Sequence, residues 1–128
     1  MAQVAATPGV SKPKSGENVW LWLVKIVSGP LLVILLGIHL IVNHFLSPGG
    51  LLTYADIVAY YKNPVIPVME IAFLATVVTH SLTGLRGIVL DLKPAHDVMQ
   101  IVNSILIVLG LGSVAYGTWL ILTIASKG

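Results

Sequence analysis

The chain has 128 residues, of which 56% are hydrophobic and only 9% charged, with seven Lys and Arg against five Asp and Glu for a formal net charge of +2. An ordinary soluble domain carries roughly a quarter charged residues, and a disordered chain is poor in the Leu, Ile and Val that abound here, so both are excluded in favour of an integral membrane protein. No segment gathers enough Lys or Arg to follow a phosphate backbone, which argues against nucleic acid as a partner, and the absence of Cys removes disulfides, thiolate chemistry and iron-sulfur ligation, leaving His to hold any metal.

Residues 1–19 contain Pro8, Gly9, Pro13 and Gly16 with Lys12 and Lys14, a composition that predicts a mobile, solvent-exposed arm. The first apolar run begins near Trp20 and is followed by no A-x-A cleavage pattern, so it reads as a retained span rather than a secretory signal. This run covers about residues 20–46, holds Lys25 as its only formal charge, and stops at Ser47, Pro48, Gly49 and Gly50. About 20 apolar residues rising 1.5 Å each cross a hydrocarbon layer of roughly 30 Å, and Trp20 and Trp22 stand where an interfacial aromatic belt belongs. Between residues 51 and 61, Leu51, Leu52, Ala55, Val58 and Ala59 recur at helical intervals. That pattern fits a short amphipathic helix in the interface or a loop packed on a neighbour. A second run spans about residues 64–90 and is closed by Asp91, Lys93 and Pro94; a third spans about 98–124. In the third, Gly110, Ser113 and Gly117 share one face, with Gly112 off it, and predict a contact surface for another helix. The expected fold is all-α, with three transmembrane helices forming one domain over residues 20–128. Lys12, Lys14, Lys25, Arg86 and Lys93 fall on the amino-terminal side of the spans and Lys62 and Lys127 on the other, which orients the amino terminus to the cytoplasm.

Four histidines occur, His39, His44, His80 and His96. An ionisable side chain inside a span is costly and therefore a functional-site hypothesis, and neutral imidazole is an axial ligand of heme iron. Taking the middles of the first two spans near Leu36 and Val78 puts both His39 and His80 within about 5 Å of the bilayer centre. They are displaced to opposite sides, so one metal does not serve both. Each could instead simply hydrogen-bond a neighbouring helix. His44 lies near the end of its span, where an imidazole costs little, and His96 sits among Lys93, Pro94 and Asp97 on a polar loop. His80, Gly84 and Gly87 occupy i, i+4 and i+7 on one helix face, where small residues admit either a flat macrocycle or a second helix. Arg86, on another face, either snorkels to headgroups or neutralises a propionate or quinone oxygen. Glu70, near the far end of the second span, reads as an interfacial carboxylate, with proton movement as the alternative.

The stretch His80-Ser81-Leu82-Thr83-Gly84-Leu85-Arg86-Gly87-Ile88-Val89-Leu90-Asp91-Leu92-Lys93-Pro94 resembles the second helix of the small hydrophobic membrane anchors of succinate dehydrogenase and fumarate reductase, respiratory complex II. Trp22-Leu23-Val24-Lys25-Ile26-Val27-Ser28-Gly29 is similar to the start of that family's first helix, and His39-Leu40-Ile41-Val42-Asn43 to the ligand motif of its two-heme members. The resemblance covers residues 20–120 or so. It implies half of a six-helix, two-subunit bundle in the inner (cytoplasmic) membrane, in which His80 is an axial ligand of a cytoplasmic-side heme b. It implies likewise that His39 is the ligand of a second heme nearer the outer face, in a two-heme member. A second hydrophobic anchor subunit would supply the other ligand of each heme, and Arg86, Asp91 and Gly84 would lie near the cofactors. The implied role is to bind the iron-sulfur and flavoprotein subunits to the bilayer and help pass electrons to quinone; the flavin and clusters do not fit on this Cys-free chain. Two departures stand out: Leu92 follows Asp91 where many relatives have Tyr, and Lys25 stands where Arg is commoner, with different bonding geometry. Two other readings compete. One is the cytochrome b subunit of another membrane dehydrogenase. The other is a non-redox packing or assembly subunit whose histidines only join helices.

Overall fold

Asn18 starts the first helix, its Oδ1 accepting the amide N–H of Trp20 at 2.9 Å and so satisfying a donor that the helix itself leaves free. The resulting α1 covers Val19–Leu40 and runs on without a break into a π-helical turn, Ile41–Phe45. Pro30 inside α1 has no N–H to give the carbonyl four residues back. A short helix α2 (Tyr54–Tyr61) follows, then α3 (Val65–Asp91) and α4 (His96–Ala125). This computed structural model describes residues 17–45, 49 and 52–128. Most of the expected mobile arm, together with Leu46 and Leu51, lies outside the described residues.

Three stretches are long and apolar enough to cross a membrane: Val19–Phe45, Val65–Asp91 and His96–Ala125, of 27, 27 and 30 residues. They match the expected spans to within two residues at each described end. Among the described residues there is no strand, and the fold is all-helical as the sequence implies. Their apolar side chains point outward, with Val33, Val108 and Leu111 each about 70% exposed. That is the inverse of a soluble core and suits hydrocarbon as solvent. Hydroxyls in the spans are satisfied locally: Thr76, Thr83 and Thr123 each donate to the carbonyl four residues earlier at 2.7 Å.

The central element is α3, which packs against α1 on one side and α4 on the other, while α1 and α4 make no backbone contact among the described residues. The three spans therefore lie as a single layer. On the α3–α4 seam, a Cβ placed on Gly110 would come within 2.9 Å of Leu82, and one on Gly117 would run into Leu74. The small-residue face of α4 thus receives α3 of its own chain, and Gly112, off that face, meets nothing within 4 Å. Residues 92–95 turn the chain between α3 and α4, with Lys93 held at φ +50°, a left-handed conformation uncommon outside glycine.

A capping box opens α2, in which Thr53 Oγ accepts the Asp56 amide and the Asp56 carboxylate accepts the Thr53 N–H at 2.9 Å. The Thr53 hydroxyl, which donates to the Asp56 carboxylate at 2.6 Å, and after it the Thr53 backbone N–H hold the Asp56 carboxyl below its ordinary value of 3.8. Because α2 packs on α3 and α4, it answers both readings of this segment: a helix, and one seated on its neighbours.

Candidate functional site

Both deep histidines turn into the α1–α3 seam, and each meets the facing helix through its Nδ1. His80, on α3, places Nδ1 2.9 Å from the Oγ of Ser28 on α1. Ser28 is 6% exposed, and its hydroxyl lies 3.1 Å from the Lys25 carbonyl oxygen, to which it donates. The hydroxyl both donates and accepts, so Ser28 bridges the Lys25 carbonyl of its own helix and the imidazole of His80 across the seam. Gly29 makes the approach possible, since a Cβ there would lie 3.5 Å from His80 Cε1.

At the other end of the seam, His39 Nδ1 lies 3.1 Å from both carboxylate oxygens of Glu70 on α3. The Asn43 side-chain amide donates to the His39 carbonyl at 2.8 Å and reaches Glu70 Oε1 at 3.4 Å, and Phe73 stacks on the imidazole with ring centroids 4.9 Å apart. Asn43 Nδ2 also lies 3.2 Å from His39 Nδ1, so this nitrogen meets both the Glu70 carboxyl and the Asn43 amide. Asn43 belongs to the π turn, where the wider spiral changes which carbonyls are bonded within the helix; such turns recur at functional sites. Glu70 is 8% exposed. The expectation of an interfacial carboxylate is therefore corrected: α1 covers Glu70, and its partners are protein groups.

Nearby, the Tyr60 hydroxyl is buried with no hydrogen-bond partner of acceptable geometry among the described residues. Burial, reinforced by the negative charge of Glu70 and of Tyr61, pushes the Tyr60 phenol up to about 12, against a smaller opposing effect of Asn43. Tyr61 is raised by burial and then by Glu70.

Ten residues of α3 separate Glu70 from His80, roughly 15 Å along the axis, so the two histidines occupy separate places, as expected. Their depths are not equal, however. With the first span running Val19–Phe45, its middle is Leu32 rather than Leu36, which puts His39 about 10 Å from the centre at 1.5 Å per residue. His80, two residues past Val78, stays within about 3 Å of the middle of Val65–Asp91.

The remaining candidates divide. Gly84 faces open space, with nothing within 4 Å of where a Cβ would sit, whereas Gly87 is buried beside the Lys25 ammonium. Lys25 is paired with Glu17 at 2.7 Å. Arg86 turns away from His80 toward α4, donating Nε–H to Asn103 Oδ1 at 2.8 Å. Both border a largely apolar groove of about 330 Å³, with Leu21, Leu82, Thr83 and Leu106. Asp91 is exposed at the end of α3. His96 is the first residue of α4, bonded to Gln100 at 2.9 Å, and not a loop residue as expected; His44 is exposed. Among the described residues, no three His, Asp or Glu side chains converge on a point that would hold a metal ion by themselves. Sequence reading assigned no part to Ser28, Asn43 or Asn103, although a hydroxyl before Gly29 and an Asn four residues past His39 were visible signals.

With this geometry in hand, comparison with known proteins is informative. Residues 5–122 match the succinate dehydrogenase/fumarate reductase transmembrane subunit family. The chain is 31% identical over 80 residues to the succinate dehydrogenase 2 membrane subunit SdhC of Mycobacterium tuberculosis, a match over 61% of this chain and 57% of that relative. It is 27% identical over 103 residues to the succinate dehydrogenase hydrophobic membrane anchor subunit of Archaeoglobus fulgidus, over 80% of this chain and 87% of the relative. No solved structure matches the chain.

Proposed function

The chain belongs to the succinate dehydrogenase/fumarate reductase transmembrane subunit family, and from that premise we propose that it is a complex II anchor which holds heme b through His80 and a second heme through His39. The observation that carries this reading is the 2.9 Å contact of His80 Nδ1 with Ser28: a ligating imidazole is hydrogen-bonded through the nitrogen away from the metal, and Nε2 is the one that would meet the iron. His39 repeats the pattern with Glu70.

The residues present fit the group. His80 and His39 would each hold a heme through one imidazole, and the open side of Gly84, one turn from His80, leaves room for a flat macrocycle. When bound, heme supplies a one-electron carrier between the iron-sulfur subunit and quinone. What this chain does is orient: Ser28 and Gly29 set the ring of His80, while Glu70, Asn43 and Phe73 set that of His39. Arg86 and Asp91 belong to the same end of the layer as Lys25. We assign them to the border of the quinone pocket, where the Arg86–Asn103 groove offers charged and amide donors to an acceptor oxygen.

The single-layer architecture supports the rest of the assembly. With α1 and α4 apart, both faces of α3 are open to a second hydrophobic anchor subunit, which supplies the other ligand of each heme. The flavoprotein and iron-sulfur subunits dock at the cytoplasmic end, in an inner membrane that the chain enters with its amino terminus inside.

Quantifying heme per complex by the reduced pyridine hemochrome, on the chain purified with its natural companions, tests the reading. Two hemes in the parent, with one lost in His80→Ala and the other in His39→Ala, are expected. One heme lost only with His80→Ala would make His39 structural, and a heme-free parent would overturn both ligand assignments.

A further inference from the structure

The two histidines are held by chemically different acceptors, and the difference is not a matter of packing. Behind His80 stands a neutral hydroxyl. Behind His39 stands a carboxylate that is 8% exposed, meets Nδ1 with both oxygens at 3.1 Å, and is steadied by the amide of Asn43. A plain interhelical bond would need neither the second oxygen nor the Asn43 buttress. A carboxylate behind an imidazole draws the Nδ1 proton toward itself, makes Nε2 a stronger donor, and adds negative charge beside the bound metal. Both effects favour the more positive oxidation state.

We propose that Glu70 is a positioning residue that acts through His39: it fixes the ring's tautomer and plane and lowers the reduction potential of the redox group that His39 ligates. The proposal rests on His39 being a ligand, and goes beyond that reading by giving Glu70 a role in setting electron affinity rather than in joining helices. The actor is the Glu70 side chain; Asn43 holds it in register from the π turn, and Phe73 keeps the ring from rotating.

The test compares Glu70→Gln with the parent in the purified holocomplex, by optical redox titration and by the low-temperature EPR signal of the ferric low-spin heme. Gln keeps the length and one acceptor oxygen but removes the charge. The expected result is full heme content, an upward shift in the midpoint of the heme that His39→Ala removes, a changed EPR g-value for that heme alone, and no movement of the heme that His80→Ala removes. Unchanged midpoints and g-values at full heme content would overturn the proposal and leave the His39 ligand reading intact. Retention of every heme in His39→Ala would overturn both. Should Glu70→Gln fail to assemble, Glu70→Asp serves instead. It keeps the charge and withdraws the oxygens from Nδ1 by about one bond length, so the same midpoint must rise by a smaller amount; an unmoved midpoint overturns the proposal.

Discussion

Two seams hold this layer together, and they are built from opposite materials. The α1–α3 seam is joined by side chains that reach across: Ser28 to His80, His39 and Asn43 to Glu70, Lys25 over Gly87. The α3–α4 seam is joined mainly by the absence of side chains, with Gly110 and Gly117 letting Leu82 and Leu74 lie against the helix backbone; its polar bond is Arg86 to Asn103 near one end. Lipid gives helices no hydrophobic reason to associate, so close packing and interhelical hydrogen bonds are the two means available. The contrast is one of material: imidazoles and a carboxylate meet on one seam, while glycines and the Arg86–Asn103 bond make the other.

Substitutions at the glycine seam should give the largest structural effect. Gly117→Leu and Gly110→Leu force overpacking against Leu74 and Leu82 and should cost about 1–3 kcal/mol, read as loss of resistance to denaturing detergent. Gly112→Leu, whose position is open, should leave that resistance unchanged. Heme midpoints in surviving complexes should stay put, and a midpoint shift from Gly117→Leu would erase the distinction between the seams. On the polar seam, Ser28→Ala removes one interhelical hydrogen bond and should cost about 0.6 kcal/mol, the average for such bonds in a membrane. If His80 ligates heme as proposed, its larger signature should be spectroscopic, a changed EPR g-value for the heme that His80→Ala removes, as the ring loses its hydrogen bond to Ser28.

The smallest effects lie at the α2 end and depend on pH. Tyr60 is pushed up to about 12 from an ordinary 10.0, so folding favours the protonated phenol. The stability that this lends is complete below pH 10 and is lost as pH rises through about 12. Ultraviolet titration should show a phenol ionising near pH 12 that Tyr60→Phe removes. Asp56 behaves in the opposite sense. Its carboxyl is held below 3.8 by Thr53, so its contribution to the cap is present above that value and disappears as pH falls through the lowered one. The normalised exchange protection of the Asp56 amide should fall over that window.

What could be read in advance follows the range of the interaction. The spans are local facts, set by run length and by stops such as Asp91 and Pro94, and they appeared within two residues of their expected ends. The face shared by Gly110, Ser113 and Gly117 is local too, since helical spacing alone defines it. The partners of the histidines are not: Ser28 and His80 are 52 residues apart, and His39 and Glu70 are 31 apart. No periodicity links such pairs, and only the antiparallel docking of α1 on α3 brings them together. Glu70 was misread for the same reason. Proximity to a helix end suggests an interface, but the element covering Glu70 is the far end of α1, and nothing near Glu70 in the chain announces it. The depth of His39 was overestimated because the middle of the run was set near Leu36, whereas a run of about residues 20–46 centres on Val33, next to the Leu32 of the observed span.

A layer one helix thick has no interior of its own. Each residue of α3 that does not face α1 or α4 is already at a boundary, so the chain makes only one dimension of its own order and borrows the other from whatever lies above and below it. Its persistence in a cell should then follow supply: made in excess of its companions, the chain offers two uncovered faces to membrane quality control, and its abundance should track that of the scarcest companion rather than its own rate of synthesis.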